Sequence, residues 1–348
     1  MAIFSNLVVF ALCWFVTSAD FVEDFVYNAM EDFGDSPDLK RHKIVMPGVS
    51  PQKPDTVLSY AMKMPDQDLY IIRFEPIGNM KVAHHMLIFS CEEPFLKNKI
   101  WDNGHGHPKK CKDGYKAEMK YAWGKNAPPL QMPKDVAYHI GGTSKVKYFV
   151  LEVHYLHVDS FKDGKKKDHS GFAFITTSKR PKYFAGIYLI QNKHFFIPPH
   201  QKKFHVSAEC RYRNKEGMKM HAFRFLVHSH KMGTVISGYL LRNGKYTLIG
   251  KGDPQRPQTF NTVDNEVDIQ DGDIVVAQCT YNSMERNRIT KYGQTHKDEM
   301  CTFNLMMYYE AKYGDKKPAC LKDKGPFTFP KDSDVTLAEM EQRTKGSV

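Results

Sequence analysis

Short apolar runs rich in Val, Ile, Phe and Tyr follow one another from about residue 41 to residue 330, and Gly, Pro, Asn or Asp closes most of them. No long stretch keeps the 3.6-residue apolar spacing with which a helix buries one face. Strands bounded by turn residues remain, so the sequence predicts an all-β chain. The clearest strands are residues 69–74, 82–89 and 148–158 in the first half. In the second half they are residues 185–190, 221–230, 234–242, 246–249, 274–281 and 301–309. Asn243-Gly244 has the signature of a two-residue hairpin turn, because both residues tolerate positive φ.

A chain of 348 residues is too long for one average domain and fits two of about 150 residues each. A composition that is 41% hydrophobic and 13% aromatic fills two cores. The expected division is 41–179 and 182–330, with a boundary at Ser178-Lys179-Arg180-Pro181-Lys182. Residues 7–16 form a short apolar run ending at Thr17-Ser18-Ala19, which reads as a signal peptide over 1–19, although no Lys or Arg precedes it. Residues 20–40 read as an acidic arm or propeptide, and 331–348 as an unstructured polar tail. No second run approaches the roughly 18 apolar residues of a membrane span. The expectation is a soluble protein, secreted or held in a secretory-vesicle lumen.

Cysteine usage agrees with that compartment. Cys13 leaves with the leader, and Cys91, Cys111, Cys210, Cys279, Cys301 and Cys320 remain, an even set that an exported chain would pair. Spacing alone does not choose among the connectivities, and there is no CxxC pair to suggest a zinc ribbon or a redox motif. The net charge of +11 is scattered, with one dense run, Lys165-Lys166-Lys167, in a polar loop. No nucleic-acid motif accompanies it, so no nucleic-acid partner is expected. There is no Asn-x-Ser/Thr sequon.

Histidines are the chemistry-bearing residues. His84 and His85, His154, and His228 and His230 lie in apolar, β-rich segments, and Met300 precedes another. Burying an imidazole there costs free energy unless it is bonded or metallated. On a strand, i and i+2 face the same way, so His228 and His230 can grip one ion. Adjacent His84 and His85 face opposite sides of a regular strand, so their convergence requires a local twist or bulge. A thioether among imidazoles favours copper over zinc. His42, His139, His169, His194, His200, His205 and His296 read as packed or solvated residues, and His105-Gly106-His107 as a loop.

Specific segments carry a resemblance. They are Val82-Ala83-His84-His85-Met86-Leu87, Tyr121-Ala122-Trp123 with Asn126-Ala127-Pro128-Pro129, and residues 147–155 ending Val153-His154-Tyr155. Val235-Ile236-Ser237-Gly238-Tyr239, residues 242–250 and Asp298-Glu299-Met300-Cys301 continue it. In that order they resemble the peptidylglycine α-hydroxylating monooxygenases, over about residues 45–320. The resemblance implies two antiparallel, jelly-roll-like β-sandwich domains with one copper ion in each. His84, His85 and His154 would hold an electron-storing copper; His228, His230 and Met300 would hold the oxygen-activating, catalytic one. It further implies the disulfides Cys91–Cys111, Cys210–Cys320 and Cys279–Cys301, while two others common in relatives have no cysteines here. The implied reaction uses O₂ and ascorbate as electron donor to hydroxylate the α-carbon of a C-terminal glycine, the first step of peptide amidation. A separate peptidyl-hydroxyglycine lyase is then expected as a partner, since little chain follows this region.

The sequence departs from that family where the peptide carboxylate would bind. The family has an Arg two residues before the His-x-His pair; Leu226 stands there, and Arg224 lies two residues further back. Thr302 and Asn304 replace the family's Asn and Tyr after the copper-binding Met, and Glu152 stands where a Gln is usual. Arg224, Thr302 and Asn304 are the expected substrate contacts. Alternatives are a dopamine β-hydroxylase-like enzyme with a non-peptide substrate, or a secreted copper-binding homologue without turnover.

Overall fold

The computed structural model describes residues 38–103, 109–124, 126–256, 259–293, 295, 297–316, 320–321 and 327–339. The expected leader, nearly all of the acidic arm, His105, His107, His296 and the last nine residues lie outside them. Regular structure among the described residues is almost wholly strand, as expected, with 3₁₀ turns at Asp159–Phe161 and Ala311–Tyr313.

Each half contributes one five-stranded antiparallel sheet. In the first half the order is Ile100–Asp102, Thr56–Lys63, Tyr148–Tyr155, His85–Cys91, Glu118–Gly124. In the second half it is Lys245–Gly252, Gly233–Arg242, Ile274–Tyr281, Phe204–Tyr212, Cys320–Leu321. One nine-stranded sheet packs against both. Its path runs Leu39–Val45, Gly171–Thr177, Asp68–Ile77, Val136–Gly141, Tyr183–Asn192, Cys301–Glu310, Met220–His228, Asn261–Ile269. The halves meet in this sheet through a short parallel pairing, Tyr183 with Val136 and Phe184 with Ala137.

The period-2 pattern explains both cores. Phe149, Leu151, Val153 and Tyr155 alternate inward and meet Ile71, Phe74, Phe172 and Phe174 from the long sheet. In the second half Phe225, Val227, Phe303 and Leu305 meet Val206, Val275, Ala277 and Tyr281. Burying each large apolar side chain is worth roughly 1.5–3 kcal/mol before the ordering entropy is subtracted. The same alternation puts Glu152 and His154 on the other face of their sheet, and Arg224, Leu226 and His228 on the other face of theirs. The hairpin is as the sequence predicts: Arg242 pairs with Lys245, and Asn243 and Gly244 have φ of 50° and 76°.

Four expectations are corrected. The strand expected at 82–89 starts only at His85, the one expected at 221–230 ends at His228, and the one expected at 148–158 ends at Tyr155. The tail is not unstructured over residues 331–339. Ser333 and Val335 are buried there, the Ser237 hydroxyl donates to the Ser333 carbonyl at 2.7 Å, and Asp334 lies 3.4 Å from Lys203 and 3.3 Å from His205. One apolar anchor and a backbone bond suffice to dock a polar segment, which average polarity conceals.

Two of the implied disulfides are formed, Cys91–Cys111 and Cys279–Cys301, each with Cα atoms 5.7 Å apart. Cys210 is disulfide-bonded, and the strand carrying Cys320 pairs with the strand carrying Cys210; the Cys320 side chain lies outside the described residues.

Candidate metal centres

His84 does not belong to the strand that follows it. It sits in a bend, and its amide donates to the His154 carbonyl at 2.9 Å, while His85 opens the strand directly opposite His154. The bend supplies the twist that two adjacent histidines need in order to converge. The ring centroids are 5.3 Å apart for His84–His85, 5.3 Å for His84–His154 and 4.7 Å for His85–His154. One donor nitrogen from each ring lies within 4.8 Å of the other two.

The donor set fits a metal ion. The Nδ1 atoms of His84 and His85 are 3.2 Å apart, a distance at which two ring nitrogens share either a proton or an ion. Metal–imidazole bonds of about 2.0 Å let one ion reach both. On His154, Nε2 lies 2.6 Å from Asp55 Oδ1. A proton on Nε2, donated to that carboxylate, leaves the buried Nδ1 as the lone-pair nitrogen, the arrangement by which ligating histidines are oriented. Asp55 holds a φ of 62°, and nothing in the hydrophobic pattern pointed to it.

Glu152, the extra carboxylate near this cluster, is neutralised. Its Oε2 accepts from Asn103 Nδ2 at 2.5 Å and lies 2.9 Å from Lys110 Nζ. Asn103 and Lys110 come from the segment closed by Cys91–Cys111, so the disulfide holds the counter-charge near the outer face of the sheet.

The second cluster forms where a strand stops. His228 is the last residue of Met220–His228, and His230 lies beyond it, so a turn as well as strand alternation sets the pair. Their ring centroids are 5.4 Å apart and nearly perpendicular, at 84°. His230 Nδ1 lies 3.0 Å from the Asp298 carbonyl, an acceptor, so Nδ1 carries the proton and Nε2 the lone pair. Met300 immediately precedes Cys301–Glu310, in which Thr302 pairs with His228.

Glu299 joins the two pieces. This carboxylate is 0% exposed and accepts the His230 and Met232 amides at 2.8 Å each and the Met300 amide at 3.3 Å. Burial pushes its carboxyl above the usual range, against the pull of those amides. The Tyr281 hydroxyl donates to the Met300 carbonyl at 2.7 Å, and Cys301 is tied to Cys279. In the sequence Glu299 stands only within the Asp298-Glu299-Met300-Cys301 motif, where an acid beside a ligand candidate is the signal that points to it.

Comparison with known proteins decides the family. The description "Copper type II ascorbate-dependent monooxygenase, N-terminal domain" matches residues 42–162, and its "C-terminal domain" counterpart matches 183–328. The chain belongs to the copper type II ascorbate-dependent monooxygenases. It is 40% identical over 287 residues to the peptidylglycine alpha-amidating monooxygenase of Rattus norvegicus, covering 82% of this chain and 28% of that protein. The Mus musculus counterpart is 38% identical over 298 residues, covering 84% and 30%. Dopamine beta-hydroxylase of Canis lupus familiaris is 26% identical over 290 residues, covering 78% and 45%. The chain thus spans under a third of the length of the two amidating relatives.

The expected substrate contacts lie along the strand that carries His228 and the strand that Met300 precedes. Register places His228 beside Thr302, Leu226 beside Asn304 and Arg224 beside Met306, with Gln191, Leu189 and Ile187 one strand further on in the same rows. Leu226 is 4% exposed and packs in the same cluster as Tyr121, Phe260 and Met306. Arg224 is half-buried near the Tyr121 phenol and donates to the Phe260 carbonyl at 3.0 Å. Thr302 accepts from Gln191 Nε2 at 3.0 Å. Asn304 is buried. Arg224, Thr302 and Asn304 therefore share one face, with Arg224 the furthest along the strand from His228.

Proposed function

We propose that this chain hydroxylates the α-carbon of a C-terminal glycine in peptides, with O₂ and ascorbate as co-substrates. The observation that carries the proposal is the pair of histidine clusters, one in each half of a chain 40% identical to an amidating monooxygenase. The halves, 41–179 and 182–330, are taken as the two copper domains. His84, His85 and His154 would hold the copper that stores an electron, and His228, His230 and Met300 the copper beside the substrate. Bound copper supplies one-electron chemistry and O₂ activation.

The chain's own groups bind and orient. Asp55 and the Asp298 carbonyl fix the tautomers of His154 and His230, and Glu299 fixes the backbone on which His230 and Met300 sit. Arg224 would pair with the peptide carboxylate, and Asn304, a buried amide on the same face, would donate to the same substrate. The described disulfides support export through an oxidising compartment. No helix among the described residues is long and apolar enough to cross a membrane. A lyase that cleaves the hydroxyglycine product would act next.

A second reading, a non-peptide substrate as in the dopamine beta-hydroxylase relative, is favoured by one observation. Leu226, buried and apolar, occupies the position from which an Arg would meet a carboxylate. Oxygen uptake by the copper-loaded chain with ascorbate separates the readings. A glycine-extended peptide should drive it, and the same peptide ending in an amide should not. Equal uptake with both, or uptake only with a phenethylamine, overturns the peptide reading.

A further inference from the structure

His139 lies on Val136–Gly141, the strand that makes the parallel junction between the halves, and is 8% exposed. Its ring is stacked between Tyr70 of the first half and Phe184 of the second, with both centroids 5.1 Å away. Its Nε2 lies 3.0 Å from Asp68 Oδ1, and its Nδ1 lies 3.0 Å from Asp315 Oδ1. A neutral imidazole has one N–H and one lone pair, so it satisfies one carboxylate and sets its lone pair against the other. Only the imidazolium donates to both, and a cation between two aromatic faces gains further.

We propose that His139 is a charged bolt between the halves, an imidazolium at neutral pH that links Asp68 to Asp315, and that its deprotonation at alkaline pH loosens the junction. The strand pairing at the junction is short, Tyr183–Val136 and Phe184–Ala137. The surrounding charges have been placed by the fold. Asp68 also accepts the Thr143 amide at 2.6 Å and the Thr143 hydroxyl at 3.0 Å. Asp315 feels Lys120 and the Ser144 hydroxyl, and lies near the Tyr309 phenol. Arg180 lies over the Phe184 ring, 5.1 Å from its centroid, and acts on the Tyr70 phenol. Burial pulls the His139 ring down, but Asp315 and Asp68 together hold it above its ordinary value. Burial opposes the ionised carboxylates as well; Thr143 and His139 hold Asp68 low, and His139 holds Asp315 low.

The sign follows from these directions. A raised imidazole contributes stability that is complete below its unfolded value of about 6.5 and is lost as pH rises through the folded value. The lowered carboxylates contribute above their unfolded values and lose that contribution as pH falls through the folded ones. The bolt therefore weakens on the alkaline side as pH rises through the raised His139 value, and on the acid side as pH falls through the lowered carboxylate values.

The test is an NMR titration of His139 in the full chain, assigned by its loss in His139→Gln, with amide exchange across residues 136–141 and 183–192. The expected result is a titration above the ordinary imidazole value. Junction amides should exchange on the order of tenfold faster, after correction for intrinsic rates, once His139 deprotonates. Asp315→Asn removes one partner at a partly exposed position and should move the titration down and flatten the exchange profile. Titration at or below the ordinary value, or an Asp315→Asn chain indistinguishable from the parent, overturns the proposal.

Discussion

Replacing Glu299 measures how far the second centre depends on a residue that touches no metal. The carboxylate satisfies the buried amides of His230, Met232 and Met300. Glu299→Ala orphans all three, and each buried unsatisfied donor costs roughly 1–3 kcal/mol, with the 3.3 Å Met300 contact at the low end. A total of about 3–6 kcal/mol would release the His230 turn from Met300. Glu299→Gln is milder. Its amide oxygen can keep the two donors on the Oε2 side, His230 and Met300, while its NH₂ faces the Met232 amide, leaving one clash worth about 1–3 kcal/mol. Groups that orient ligands without binding metal typically carry about 10–100-fold of affinity. Copper retention after dialysis should therefore fall at the second centre in the order parent, Gln, Ala, with the first centre unchanged. The copper–sulfur signal in X-ray absorption should weaken in the same order. Full copper loading with an intact sulfur signal in Glu299→Ala would refute the reasoning.

Two further outcomes are expected. Met300→Ile removes the soft donor and should abolish oxygenation while the His84, His85 and His154 cluster still takes one copper per chain, counted by metal analysis. Arg224→Ala should raise KM for a glycine-extended peptide by 10-fold or more, at about 1.4 kcal/mol per decade, with little change in kcat; an unchanged KM assigns the carboxylate elsewhere. Leu226→Arg, by contrast, puts a charge into the cluster of Tyr121, Phe260 and Met306 and should lower stability before it can help binding.

Much of this was legible in the chain. The 274–281 strand and the Asn243-Gly244 turn follow from β-branched periodicity and backbone tolerance, which are local properties. The histidines were legible because an imidazole in an apolar strand needs a reason. Their exact placement was not: His84 sits in a bend, and His230 lies beyond its strand, because hydrogen bonds to His154 and Glu299 override alternation there. Asp55, 99 residues from His154, could not be found from spacing, since an orienting carboxylate leaves no periodic trace. Nor could the long sheet shared by both halves, because strand pattern reports which side is buried and not which strand lies next door.

The Cys279–Cys301 bond joins the inner faces of the two sheets in the second half and closes a 22-residue span that ends beside Met300. Closing a loop of that size is worth about 3 kcal/mol in the chain-entropy picture. Both sulfurs belong to residues that are 0% exposed. Thiol–disulfide exchange requires a thiolate to reach a sulfur atom, so small reductants in solution are kept from this bond by packing. In the proposed reaction, a centre fed electrons turnover after turnover would thus stand one residue away from a cross-link that electrons would break.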